Sequence, residues 1–221
     1  MVVNNVSKEK NMNKRFLIIL TVIIVGFIGI VSYGKMSDKA NNLEPQRSQN
    51  VYGKADSKVT LTEFVDFQCP ACYGYYPVIK QVKEEYKDRV RFELRNFPIK
   101  TAHQFALRSA ASAEAAARQG KFWEMHDKLF EGQKTWQAAK DPQVYFDQYA
   151  QSIGLDMTKY AQDRVSKEVL NVINTDLGDA TKLGVNGTPA FLLNGKKIES
   201  PEGSVEAFSK VLDKALADAG E

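Results

Sequence analysis

Cys69 and Cys72 are the only cysteines among the 221 residues, and Pro70 and Ala71 stand between them. Two cysteines at i and i+3 at a helix start can close a disulfide, because their Cα atoms fall inside the usual ~4.4–6.8 Å window. So short a loop removes little chain entropy when it closes, which suits a bond that is made and broken better than one that staples a fold. With Cys69 at a helix N-terminus, free backbone N–H groups and the positive end of the macrodipole favour its thiolate. Pro70 fits the first turn because no donor is needed there. Cys69 is then the nucleophile, and Cys72, one turn inward, is the resolving thiol.

Other chemistries for the pair are weaker. A zinc half-site needs two further ligands, and the only histidines, His103 and His126, lie 23 residues apart. Two buried reduced cysteines and a static surface disulfide are the structural alternatives. Passing a soft ion such as Cu(I) would call for a methionine or histidine close to the pair, and none is there.

The elements around the pair follow from periodicity. Residues 59–67 carry Val59, Leu61, Phe64, Val65 and Phe67, a buried strand with Glu63 and Asp66 embedded in it. Residues 71–87 place Ile79, Val82 and Tyr86 at helical spacing, with Pro77 inside as an expected kink. Residues 90–97 alternate as a second strand, so strand, helix and strand predict a right-handed βαβ unit. Residues 102–183 then read as helical throughout. An alanine-rich helix spans 102–119, a second contains Trp123, a third covers 144–150, and a long one carries Tyr160, Val165, Val169, Val172, Ile173 and Ala180 on one stripe. After them come Thr188-Pro189, a strand at 190–193, the hairpin signal Asn194-Gly195 and a return strand at 196–199. A last helix presents Val205, Phe208, Val211, Leu212 and Ala215. The fold class is α/β, with a helical subdomain placed between two halves of a sheet.

The N-terminus stands apart. Residues 1–15 hold Lys8, Lys10, Lys14 and Arg15 against Glu9, which leaves 26 basic and 26 acidic residues in the rest of the chain. A neutral folded part offers no electrostatic footprint for nucleic acid. Residues 16–33 form an apolar run about 27 Å long as a helix, close to the hydrocarbon thickness of a bilayer. The basic residues before it predict a cytoplasmic N-terminus and an extracytoplasmic remainder, with an uncleaved signal-anchor preferred over a cleaved signal peptide because no Ala-x-Ala site follows. Residues 34–50 are polar and read as a linker, with the folded domain at 51–220.

The segment Glu63-Phe64-Val65-Asp66-Phe67-Gln68-Cys69-Pro70-Ala71-Cys72 resembles the thioredoxin fold, and so do Phe122-Trp123-Glu124-Met125-His126 and Gly184-Val185-Asn186-Gly187-Thr188-Pro189. The match is specifically to the DsbA-like branch, which carries a helical insertion in the thioredoxin core. The resemblance implies a cis Pro189 beside the cysteines and a Thr188 backbone that binds extended substrate peptide. It also implies a buried acid at Glu63 that relays a proton to or from Cys72, with Asp66 a weaker candidate for that role. The redox-active disulfide itself serves, without a cofactor. The implied partners are exported cysteine-containing polypeptides and a membrane quinone-linked protein that regenerates the disulfide. One position departs from the pattern: strong oxidants of the branch have histidine before the second cysteine, where this chain has Ala71. The missing charge predicts a higher Cys69 pKa and a less oxidising pair, so a reductase or isomerase of exported proteins is the alternative. His103, His126, Trp123 and Trp136 read as capping, packing or groove residues.

Overall fold

The computed structural model describes residues 18–22, 24 and 43–221. The chain divides into Met1–Glu44 and Pro45–Glu221. In the first unit residues 18–22 and 24 are helical with exposed side chains. The rest of the expected spanning segment at 16–33, the basic tail at 1–15 and residues 34–42 of the expected linker lie outside the described residues. Among the described residues no helix is long and apolar enough to cross a membrane.

The second unit is built on a five-stranded sheet of β1 (Asn50–Gly53), β2 (Thr60–Val65), β3 (Arg91–Asn96), β4 (Ala190–Leu193) and β5 (Lys196–Lys197), in the order β1-β3-β2-β4-β5. β2 and β3 run parallel, joined by α1 (Pro70–Tyr86), which is the expected βαβ unit. β4 pairs antiparallel with β2 on its other side, opposing Glu63 to Phe191. Pro77 lies inside α1, which runs unbroken past it. The β4–β5 hairpin turns on Asn194 and Gly195, at φ of 49° and 77°, the left-handed pair that a two-residue connection needs.

One sheet face is sealed by α1 and α8 (Val205–Ala219). Leu61 and Phe191 pack there with Ile79, Val82, Tyr86, Phe208 and Leu212. The opposite side of β2 and β4 packs Phe64 and Leu192 against Ala180 and Val185. Between β3 and β4 the chain forms α2 (Ala106–Ala117), α3 (Phe122–Glu131), α4 (Gln133–Trp136), α5 (Gln143–Ser152), α6 (Met157–Asp163) and α7 (Lys167–Lys182). The core of this insertion, with Met125, Leu129, Phe130, Trp136, Phe146 and Tyr160, is continuous with Val65, Phe67, Cys69 and Cys72. The insertion therefore packs directly beneath the cysteine pair.

Two expectations are corrected. The long helix predicted through Tyr160 and Ala180 is two helices, because Ser166 caps α7 by accepting from Val169 N at 3.2 Å. Val165, expected on the buried stripe, is 65% exposed at that break. The folded unit also begins at Pro45 rather than residue 51. Ser48 and Asn50 are buried, Ser48 Oγ donates to Glu114 Oε1 at 3.0 Å, and Arg47 pairs with Asp179 at 2.8 Å. Composition suggested a solvated linker here, but these polar side chains are satisfied inside the fold.

Candidate active site

Cys69 caps α1 in an extended conformation (φ −69°, ψ 125°), and Pro70 follows at the first turn, as the spacing predicts. Its backbone is fixed from both sides. Cys69 N donates to Asp66 O at 3.0 Å, and Cys69 O accepts from Tyr73 N at 3.1 Å. The approach to the helix is organised by the buried Asp66 carboxylate, which accepts from Gln68 N and Ile99 N, each at 2.8 Å, and lies 2.7 Å from His103 Nδ1. Asp66 thus orders a loop, and His103 braces it. Two contacts from the insertion complete the frame. Gln133 Nε2 donates to Phe67 O at 2.8 Å and to Cys69 O at 3.1 Å, and Phe105 N donates to Gln68 Oε1 at 2.7 Å.

Both cysteines are free thiols, Cys69 at 7% exposure and Cys72 at 1%. The Thr188–Pro189 peptide is cis, and Thr188 O lies 3.5 Å from Cys69 Sγ. Residues 119 positions apart in sequence are thereby brought together as expected. The two thiols are driven in opposite directions. Cys69 is lowered to about 5, first by the hydrogen bond from the Cys72 thiol and then by Thr188 and the Cys72 and Ala71 N–H groups, with burial opposing. Cys72 is raised well above the ordinary thiol value by burial first, then by its bond to Cys69 and by the charges of Cys69 and Glu63. Ala71 was expected to leave Cys69 less acidic. That expectation compares the pair with one that has a histidine there; in this chain the lowering of Cys69 comes from hydrogen-bond donors at the helix start.

Glu63 lies on β2 between Leu61 and Val65, on the side of the strand that α1 covers. Burial lifts its carboxyl to about 7, with Lys83 pulling the other way. Lys83, Gln133 and the Asp66–His103 contact were not foreseen. A signal for Lys83 was present: Cys72, Tyr76, Ile79, Lys83 and Tyr86 follow helical spacing, so Lys83 falls on the buried stripe of α1. Trp136 is core, with Nε1 donating to Leu129 O at 2.7 Å, and His126 is buried among aromatic rings.

The thioredoxin family model matches residues 46–214. This chain belongs to the thioredoxin family. Within the family it falls among the DsbA-like thiol–disulfide oxidoreductases. The probable disulfide bond formation protein D of Bacillus cereus is 30% identical over 210 residues, covering 90% of this chain and 93% of that protein. A second kind of relative is longer. The Na(+)/H(+) antiporter NhaA 3 of Salinispora tropica is 33% identical over 177 residues, which is 80% of this chain, and the chain spans about a quarter (26%) of that antiporter's length. Among solved structures, a thioredoxin-like oxidoreductase from Silicibacter pomeroyi superposes with a TM-score of 0.64 at 27% identity, covering 75% of this chain and 90% of that one. BdbD from Bacillus subtilis shares the fold, with a TM-score of 0.66 at 22% identity and coverage of 79% and 98%.

Proposed function

We propose that this protein is an extracytoplasmic thiol–disulfide oxidoreductase that introduces disulfides into exported cysteine-containing polypeptides. In this reading residues 16–33 hold it at the membrane, and a membrane quinone-linked partner re-oxidises it. The observation that carries the reading is the divergence of the two thiols. A substrate thiolate attacks Cys69 Sγ of the Cys69–Cys72 disulfide, forming a mixed disulfide and expelling Cys72 as a thiolate that takes up a proton. With a carboxyl poised near 7, Glu63 can deliver that proton. A second substrate thiolate then attacks the substrate sulfur of the mixed disulfide and expels Cys69. The two electrons of the new substrate disulfide stay on the reduced pair. Cys69 at about 5 is a good leaving group, and the stability of its thiolate favours the reduced pair, which is what an oxidant needs. Thr188, beside Cys69, would hold the extended substrate through its backbone, with Pro189 packed next to the pair.

The reductase or isomerase reading keeps the same site and rests on Ala71, which brings no charge to Cys69. Equilibration with glutathione separates the two: a potential near ~−120 mV supports the oxidase, and one near ~−270 mV overturns it. The same titration has an expected pH dependence. Reduction between Cys69 at about 5 and the much higher Cys72 takes up one proton for two electrons, so the potential should fall by ~30 mV per pH unit from pH 6 to 8. Below pH 5 the slope should double. A slope near ~60 mV through pH 7 would show that Cys69 is not a thiolate there.

A further inference from the structure

Three stretches of chain meet the segment that carries the cysteines, and each is fixed by a contact. Gln133 Nε2 reaches Cys69 O at 3.1 Å, and Thr188 O lies 3.5 Å from Cys69 Sγ. The connection after β3 is tied down through Ile99 N to Asp66 at 2.8 Å and through Phe105 N to Gln68 at 2.7 Å. β2 and β3 run parallel, so the connections that leave them gather at one end of the sheet, and the antiparallel β4 starts from that end after the cis Pro189. The mouth of the site is therefore made by residues 67–76, 97–105, 132–140 and 184–189.

These stretches contain no aspartate or glutamate, but they contain Lys100, Lys134 and Lys140. After the basic tail the chain as a whole balances 26 basic against 26 acidic residues, so the mouth is a local departure. Lys134 is the best placed of the three. It follows Gln133 on α4, is exposed, and holds its ammonium 5.2 Å from the centre of the Tyr73 ring. Tyr73 N in turn donates to Cys69 O at 3.1 Å. The ring keeps the cation at the edge of the pair, so less side-chain freedom is lost when an anion arrives. Lys100 is exposed next to Ile99. Among the described residues neither lysine meets a carboxylate, whereas Lys80 and Lys121 are paired to Asp127 at 2.9 Å and Glu124 at 2.8 Å.

The acids nearest the mouth are turned elsewhere. Asp66 is buried and commits its carboxylate to Gln68 N, Ile99 N and His103. Glu131, at the end of α3, accepts from Tyr76 at 3.1 Å and pairs with Lys80 at 3.2 Å, farther along α1. Glu199 and Glu202 flank Pro201, whose carbonyl accepts from Tyr75 at 2.8 Å on the flank of α1 that packs against α8 rather than the insertion.

We infer that the insertion side of the mouth recognises acidic sequence: Lys134 and Lys100 select exported polypeptides whose reactive cysteine is flanked by aspartate or glutamate, and disfavour those flanked by lysine or arginine. The inference names the substrate class of the proposed oxidoreductase and rests on that reading. A substrate laid along the Thr188 backbone with its sulfur at Cys69 Sγ runs outward on both sides, where its flanking carboxylates meet ammonium groups that no carboxylate occupies. The same field favours the approach of the attacking thiolate, itself an anion. One exposed ion pair is worth up to ~5-fold, so reversing the charge of one lysine is worth roughly 10-fold.

The test measures how fast the oxidised full chain, in neutral detergent micelles, is reduced by single-cysteine peptides that differ only in the residues flanking the cysteine: glutamate, serine or lysine. The peptides' own thiols differ in pKa, so each rate is compared between variant and wild type for the same peptide. At low ionic strength Lys134→Glu should slow the glutamate peptide roughly 10-fold, speed the lysine peptide by a similar factor and leave the serine peptide within ~2-fold. Lys100→Glu should act in the same direction by less. Both effects should shrink below ~2-fold in ~1 M salt, where the Debye length is ~3 Å. Lys196→Glu controls for net charge, because Lys196 on β5 lies beside Leu193 and so at the end of the sheet where β2 begins, away from the pair. It should alter discrimination between the peptides by less than ~2-fold. Equal changes for all three peptides in Lys134→Glu, or equal discrimination in Lys196→Glu, overturn the inference and leave the proposed function standing. A wild type that exchanges with none of the peptides overturns the proposed function, and the inference with it.

Discussion

Two groups of carboxyls raised by loss of water, the buried Glu114 and Asp176 and the half-buried Glu63, are satisfied in opposite ways. At the edge where β3 meets α2 and α7, Glu114 accepts from Asn50 and Asn96, Asp176 accepts from Asn96 N at 2.9 Å and from Ser48 N at 3.2 Å, and the one Ser48 hydroxyl lies within reach of both carboxyl groups. Arg95 lies 3.5 Å from Asp176. On β2, the half-buried Glu63 has no such donors, and only Lys83 pulls its carboxyl back against the loss of water that raises it. Both clusters have carboxyls raised by burial. Hydrogen bonds moderate the first cluster and fix its geometry, whereas the second is left free to change protonation. The difference separates a clamp from a relay: many donors make a buried acid structural, and few make it chemical.

The largest effect should come from breaking the clamp. Asp176→Ala leaves Asn96 N–H and Ser48 N–H buried without an acceptor and removes a partner of Arg95, so the reduced protein should lose roughly 3–5 kcal/mol in urea unfolding. The potential of Cys69–Cys72 should stay where it is. A loss below ~1 kcal/mol, or a potential that moves with the clamp, would erase the distinction between the two clusters. Breaking the relay should do the reverse. Glu63→Gln should slow mixed-disulfide formation roughly 10²-fold near neutral pH, measured in single turnover, because no proton reaches the departing Cys72. Its stability signature has a fixed sign. Glu63 is raised to about 7 from an ordinary 4.5, so its contribution is whole below pH 4.5 and is lost as pH climbs through 7. Glutamine has no such loss, so Glu63→Gln should gain stability relative to wild type between pH 5 and 8. A flat difference across that range would mean that Glu63 does not titrate as the structure implies.

The relay was partly legible in the sequence and the clamp was not, for physical reasons. Cys69 and Cys72 stand in a motif whose spacing at a helix start is itself the geometry, whereas the places of Glu63 and Pro189 beside them came from the resemblance to the DsbA-like branch. The Asn194-Gly195 turn was visible because two successive left-handed residues admit few side chains. Ser48 and Asn50 were read as linker because composition cannot say that a polar side chain will meet Glu114 inside the fold. Lys83 was passed over between Val82 and Tyr86 because a lysine is almost never fully buried, and here the ammonium lies over the Trp123 and Tyr52 rings. The break at Ser166 was hidden by apolar residues that continue the stripe on both sides, while the local cap decides the chain's path. Local chemistry in contiguous residues was readable, and pairings across 60 to 130 positions depended on the folded chain.

The smallest expected effect tests whether the frame around the pair belongs with the clamp or with the relay. Gln133, 2% exposed on α4, donates one amide to the carbonyls of Phe67 and Cys69 and so ties the insertion to the start of α1 without touching either sulfur. Gln133→Ala leaves two acceptors short of a donor and should cost about 1–2 kcal/mol in urea unfolding. The groups that lower Cys69 are the Cys72 thiol, Thr188 and the N–H groups of Ala71 and Cys72, and all of them remain. The potential should therefore change by less than ~30 mV, a tenfold change in the exchange equilibrium. A larger change would mean that Gln133 sets the orientation of the helix-start donors toward Cys69. The insertion would then reach the redox pair through the backbone of Cys69.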